Sequence, residues 1–175
     1  FSDMAAEELK ALWADAYEAW RGVPGEEGLM YLCPAAHGPA VRRPFPKITQ
    51  AAPLFAVTAF NPMGKYVSHA ENLKANLLLQ SEIEQRFTTW WRGFGFDPKW
   101  HEAGFVVSGP RDEVLELARR FQQGAIYQYV HKENDPTVLV RSTIPALIDE
   151  TDADVDVVVC DRPDMPTANP DWVGE

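Results

Sequence analysis

Residues 53–72, PLFAVTAFNPMGKYVSHAEN, decide how the chain reads. Leu54 to Phe60 is almost wholly apolar and rich in β-formers, as a strand covered on both faces is. Asn61-Pro62-Met63-Gly64 then stops it with turn chemistry. Ser68-His69-Ala70-Glu71 is a capping box: the serine oxygen accepts from the amide three residues on, and the glutamate side chain returns to the serine amide. A helix to about Phe87 is predicted, with Leu73, Leu77, Leu78 and Ile83 as its buried stripe. Asn72 and Asn76 are four apart and share a face, so a helix folding back over the strand brings both near Asn61.

On the C-terminal side, Trp90, Trp91, Phe94, Phe96 and Trp100 are expected to crowd a loop as a satellite core. Gly104 to Ser108 reads as a strand, and Arg111 to Gln123 as a helix with Val114, Leu115, Ala118 and Phe121 inward. Ile126 to His131 and Thr137 to Thr143, joined through Asn134-Asp135-Pro136, predict an antiparallel hairpin. Val155 to Cys160 is expected to add an edge strand. On the N-terminal side, Leu9, Leu12, Trp13, Ala16, Tyr17 and Trp20 recur at helical spacing and predict an amphipathic helix from Met4 to Trp20. Gly28 to Cys33 allows a short strand, and the prolines from Pro34 to Pro53 make an ordered connector.

The expected architecture is a single α+β domain over 1–175. It has a mixed β-sheet of about five strands, two helices packed on it and an N-terminal amphipathic helix. Residues 1–52 form the helix and Pro-rich connector, 53–145 the α/β core, and 146–175 an acidic, Pro-rich C-terminal arm.

The 175 residues are 46% hydrophobic and 24% charged, with no apolar run near the roughly 20 needed to cross a bilayer. Sixteen basic against 26 acidic residues give a formal charge of −10, which opposes a nucleic-acid partner and an anionic lipid surface. Arg42, Arg43 and Lys47 form the one clear basic patch, read as a surface for an acidic protein partner. Cys33 and Cys160 have neither C-x-x-C spacing nor metal-ligand partners, and read as packed thiols.

The four histidines share no helix face, and H-E-x-x-H is absent, so no metal and no cofactor is implied. Asp152 to Asp156 resembles the start of a calcium loop but lacks its glycine and closing glutamate, and reads as a solvated acidic run. The phosphate-cradling glycine loops and the G-x-S-x-G elbow are also missing. What remains is a polar set at element ends, Asn61, Asn72, Glu102 and Gln123. Amides fix backbone groups and ligands well and are poor acids and bases. In the structural reading they tie strand ends to helix caps; in the ligand-binding reading Glu102 is the general base.

Phe60-Asn61-Pro62, Ser68 with Glu71-Asn72, Glu102 before an apolar strand, and Ala118-Arg119-Arg120-Phe121 with Gln123 and Ala125 carry a resemblance. Residues 53 to 131 resemble a family of small uncharacterised proteins, a domain of unknown function found in bacteria, cyanobacteria and algae. The resemblance implies a fold and no catalytic residue.

Two functions are expected from these features. The first is a non-enzymatic accessory subunit docking through Trp13, Trp20, Arg42, Arg43 and Trp172 onto protein subunits of a larger complex, peripheral to a membrane at most. Read with the resemblance and a chain starting at Phe1, this points to a processed mature subunit of a plastid photosynthetic complex such as a photosystem, at the thylakoid, with the cytoplasm as the alternative. The second is a small-molecule-binding protein or enzyme using Asn61, Asn72, Glu102 and Gln123.

Overall fold

The computed structural model describes residues 6–37, 41, 43–149 and 154–168. Its elements are α1 (Ala6–Asp15), β1 (Tyr17–Arg21), β2 (Leu29–Pro34), β3 (Leu54–Thr58), α2 (His69–Arg86), β4 (Thr89–Phe96), β5 (His101–Ser108), α3 (Arg111–Arg120), β6 (Ala125–Lys132), β7 (Asp135–Pro145) and β8 (Asp154–Cys160). The strands form a closed barrel in the order β1-β2-β8-β7-β6-β3-β5-β4, with β4 returning to β1. Every neighbouring pair is antiparallel.

This overturns the mixed sheet of about five strands. Three of the eight staves were expected in other roles, and each for a physical reason. Tyr17–Arg21 has helical spacing, but pairs with both β2 and β4, and the two ladders outweigh local propensity. Thr89–Phe96, expected as a loop, alternates Trp91, Gly93 and Gly95 on one face with Trp90, Phe94 and Phe96 on the other. Val155–Cys160 is no edge, since β8 is paired to β2 and β7 on its two sides. The hairpin at 126–143 is β6–β7.

Residues 54–132 contain a β-α-β-β-α-β unit whose strands lie in the order β6-β3-β5-β4, the split βαβ arrangement. One face of that sheet is covered by α2 and α3. There Phe55, Val57, Phe105, Val107 and Ile126 meet Leu79, Ile83, Val114, Leu117 and Ala118. The opposite face would be bare in the unit alone. Here β1, β2, β7 and β8 curl around it and turn it into the barrel lumen.

Register assigns the lumen-facing side chains, because residues paired across neighbouring strands point to the same face. One end is packed solid with Trp20, Met30, Leu32, Leu54, Trp91, Val106, Tyr129, Leu139, Val157 and Val159, and Val23 and Phe45 join the same cluster. The Pro-rich connector thus delivers Phe45 into the barrel, its amide bonded to the Pro136 carbonyl at 3.0 Å. A barrel of this strand number is just wide enough for side chains to fill.

At the other end the staves carry small residues: Gly93, Gly95, Gly104, Ala56 and Ala125. Gly104 cannot be replaced without movement, since a Cβ there would lie 2.5 Å from the Val57 carbonyl oxygen. The strands approach closely at this point, as a tightly coiled sheet requires.

α2 is rotated relative to its predicted phase. Its buried residues are Asn72, Asn76, Leu79 and Ile83, while Leu77 and Leu78 are 67% and 59% exposed. Two amides set the phase. Asn76 accepts from the Ala59 amide and donates to the Ala103 carbonyl, both at 3.0 Å, bridging the ends of β3 and β5. Bonds to otherwise unpaired buried backbone outweigh burial of two leucines that can remain wet. The Ser68 oxygen does accept from the Glu71 amide at 3.1 Å, but its hydroxyl also donates to the Glu71 carboxylate, so the glutamate meets the serine side chain instead of its amide.

Cys33 and Cys160 are free and buried, on adjacent strands β2 and β8, with a hydrogen bond between their thiols.

Candidate functional site at the barrel mouth

A cavity of about 130 Å³ opens at the end of the lumen where the small residues leave space. A cavity of that order holds a ligand of a few heavy atoms. It is lined from the barrel by Glu18, Thr58, Glu102, Tyr127 and Thr143, from the loops by Asn61, Tyr66, Trp100 and Gln123, and from the helix above by Leu12 and Trp13. α1 is therefore a cover over the mouth.

That cover is held from inside. Arg141, buried on β7, donates to the Trp13 carbonyl at 2.9 Å and to the Ala16 carbonyl at 3.0 Å, placing its charge at the C-terminal end of α1. The same guanidinium donates to Glu18 at 2.7 Å. Tyr129 donates its hydroxyl to the other Glu18 oxygen, and the Tyr127 ring centroid lies 4.7 Å from the guanidinium carbon. Burial lifts both tyrosines far above their ordinary range. Burial disfavours the charged form of Arg141, but Glu18 outweighs it and keeps the cation.

The polar set at the element ends converges here in part. The backbone of Asn61 is left-handed (φ 48°), which swings its side chain back over the strand end. Asn72 accepts from the Asn61 amide at 2.8 Å and donates to the Asn61 side-chain oxygen at 3.0 Å. The remaining Asn61 Nδ2 donates to Glu102 at 3.4 Å. Gln123 donates to the carbonyls of Phe60 and Phe121 at 2.9 and 3.2 Å, tying the C-terminal end of α3 to the end of β3. Asn72 thus works one layer behind the cavity, whereas Asn61, Glu102 and Gln123 are in its wall.

Glu102 sits in register with Gly95, which is itself in register with Glu18. The two carboxyls therefore face the lumen on either side of a residue with no side chain, and the Trp100 ring lies over that glycine. Glu102 keeps partial access through the cavity, while protein on every other side strips its hydration. Burial pushes its carboxyl up to about 8, against smaller opposing effects of the bonds from Asn61 and Trp100. It is a proton-carrying group poised near neutrality in a concave site.

The residues expected to dock partners are placed differently. Trp20 is fully buried in the lumen against Trp91 and Tyr129, out of reach of any partner. Trp13 lines the cavity. Arg43 is paired with Glu26 at 2.6 Å. Arg42, Trp172 and Asp152 lie outside the described residues.

Sequence reasoning missed Glu18, Tyr127 and Arg141. A period-2 reading of 17–21 would have put Glu18 beside Trp20 on one face. Arg141 in the apolar run Val138 to Ile144 was the other signal, because a buried cation needs an anion. Among the described residues, no group of three His, Cys, Asp or Glu could hold a metal ion, and no helix is long and apolar enough to cross a membrane.

No curated protein and no solved structure matches the chain. Residues 57–126, from the end of β3 to the start of β6, contain Asn61, Asn72, Glu102 and Gln123, and this segment matches the model of a family described as Protein of unknown function (DUF3293).

Proposed function

We propose that the protein binds a small molecule in the barrel mouth, with Glu102 as the group that exchanges a proton or hydrogen bond with it. The observation that carries this reading is the convergence of Glu102, Asn61, Thr58, Tyr127 and Gln123 on one small cavity in an otherwise filled barrel. A few polar groups on apolar walls at the mouth of a barrel is a common ligand-site arrangement. A purely structural Glu102 would be an expensive choice, since a buried carboxyl without a cation is disfavoured.

The test is a fragment screen by backbone amide chemical shifts, with Ala125→Leu as a cavity-filling variant. Binders are expected to shift Thr58, Gly95, Glu102 and Ala125 and to lose affinity at least tenfold in the variant. A screen in which no fragment moves these amides overturns the reading.

A second reading keeps the accessory-subunit idea but moves its surface. Leu77 and Leu78 are 67% and 59% exposed on α2, on the outside of the barrel. A partner docking on α2 would dry them. Its test is size: elution of the purified chain at its monomer mass with or without Leu77→Gln/Leu78→Gln would remove self-association from that reading. No feature of the barrel argues for a plastid photosynthetic complex.

A further inference from the structure

We propose that the barrel mouth takes a small organic cation, an ammonium held between the Glu102 carboxylate and the aromatic residues around it; this rests on the mouth being a ligand site. The charge census of the wall is the first observation. Among the described residues, two acidic side chains line the cavity, Glu18 and Glu102, and no Lys, Arg or His does. Glu18 is neutralised by Arg141 at 2.7 Å and takes a further bond from Tyr129. Glu102 receives only neutral donors, Asn61 at 3.4 Å and Trp100. Among the described residues this carboxyl therefore has no countercharge, and a cationic guest supplies one.

The second observation is the aromatic content of the same wall. Trp13, Tyr66, Trp100 and Tyr127 line the space. Aromatic faces attract ammonium groups through the ring quadrupole, more strongly where water is excluded. Tyr127 already has the Arg141 guanidinium 4.7 Å from its ring centroid, so this wall tolerates positive charge. The net charge of −10 adds long-range attraction for a cation and repulsion for an anion. The volume, about 130 Å³, limits the guest to a compact ammonium.

Binding is then linked to a proton. The empty site holds Glu102 protonated up to about pH 8. A cation favours the carboxylate, so binding releases the proton. The other titratable and charged groups at this space are Glu18 on β1 and Tyr127 on β6 in its wall, with Arg141 on β7 and Tyr129 on β6 packed behind them. Glu18 and Arg141 form a salt bridge at 2.7 Å, and burial raises both tyrosines out of the working range. His101, on β5, and His69, at the start of α2, are not in the cavity wall; desolvation and its neighbour His69 lower His101, leaving it neutral.

The experiment compares choline with its uncharged carbon isostere, 3,3-dimethylbutan-1-ol, by titration calorimetry and amide shifts from pH 6.5 to 9.5. Choline is expected to tighten by about tenfold per pH unit below 8 and to level off above it, with release of about one proton. The isostere is expected to bind more weakly and not to tighten with pH. Glu102→Gln should abolish the pH slope, and the comparison of the two ligands on the unaltered protein decides the matter even if that variant does not fold. Equal or tighter binding of the isostere at every pH, with shifts at the mouth, overturns the cation while leaving the site. Absence of mouth shifts with either ligand and with the fragment screen overturns both.

Discussion

Arg141 on β7 reaches Glu18 on β1 at 2.7 Å, and two other strands, β2 and β8, separate them along the barrel wall. The pair therefore spans the lumen. It is buried on both sides, 1% and 4% exposed at the side chains, and it separates the packed end of the barrel from the open one. Removing one partner leaves an uncompensated charge where water cannot reach. Arg141→Met or Glu18→Leu alone is expected to cost about 3–5 kcal/mol in chemical denaturation, and the double replacement clearly less than the sum. Additive losses would mean that the two residues do not act as a pair.

Glu102 gives stability a pH dependence of defined sign. Between the ordinary carboxylate range and about 8, the folded protein keeps this proton while the unfolded chain has released it. Stability contributed by the group therefore falls as pH rises through that window. Denaturation midpoints of the unaltered protein and Glu102→Gln should differ least below the ordinary carboxylate range, diverge progressively up to about pH 8 with the variant relatively more stable, and level off above it. A constant difference from pH 5 to 9 would show that Glu102 titrates normally.

Gly104→Ala tests the closeness of the strands at the mouth. The added Cβ would lie 2.5 Å from the Val57 carbonyl oxygen and 3.1 Å from the Thr58 Cβ, contacts that only backbone movement relieves. A loss of about 1–3 kcal/mol is expected. Gly25→Ala is the contrast: nothing lies within 4 Å of its Cβ, so any cost there comes from its positive φ of 88°. Calorimetric melting of the two variants separates crowding from backbone strain.

Leu77→Gln and Leu78→Gln should change stability by no more than about 0.5 kcal/mol, whereas Leu79→Ala should cost about 2–5 kcal/mol. Denaturation of the three variants reads the rotational phase of α2 directly. Large losses at 77 and 78 would restore the leucine stripe that periodicity predicts.

Both thiols should resist a bulky thiol reagent in the folded protein and react fully in denaturant, because Cys33 and Cys160 are 1% and 9% exposed. Rapid labelling of either under native conditions would require the β2–β8 seam to open.

Within the segment from β3 to β6, the elements β3, α2, β5, α3 and β6 were legible because their signals are local, whereas β4 read as a loop. The apolar strand, the Asn-Pro stop, the capping box and the hairpin turn are each written within a few residues. The barrel was not, because closure depends on pairings between distant strands that no short window contains. Tyr17–Arg21 has a helical pattern, and only its two ladders explain its extended form. The mouth was half legible. Asn61, Asn72, Glu102 and Gln123 stand at recognisable element ends, but Glu18 and Arg141 are 123 residues apart and announce themselves only together.

The arrangement of the ring also orders events in time. The strands of β2 and β8 meet through Tyr31 and Cys160, Leu32 and Val159, so the seam joins the second stave of the chain to its eighth. A growing chain can assemble β3 to β6 with both helices while the future lumen still faces solvent, carrying Leu54, Trp91, Val106 and Tyr129 bare. The N-terminal hairpin can lean on β4 by then, but it waits for β8 before its other side is satisfied. Contacts that close such long loops slow folding. The last stave to emerge therefore determines when the oily interior is hidden, and until then the nascent protein is most exposed to aggregation.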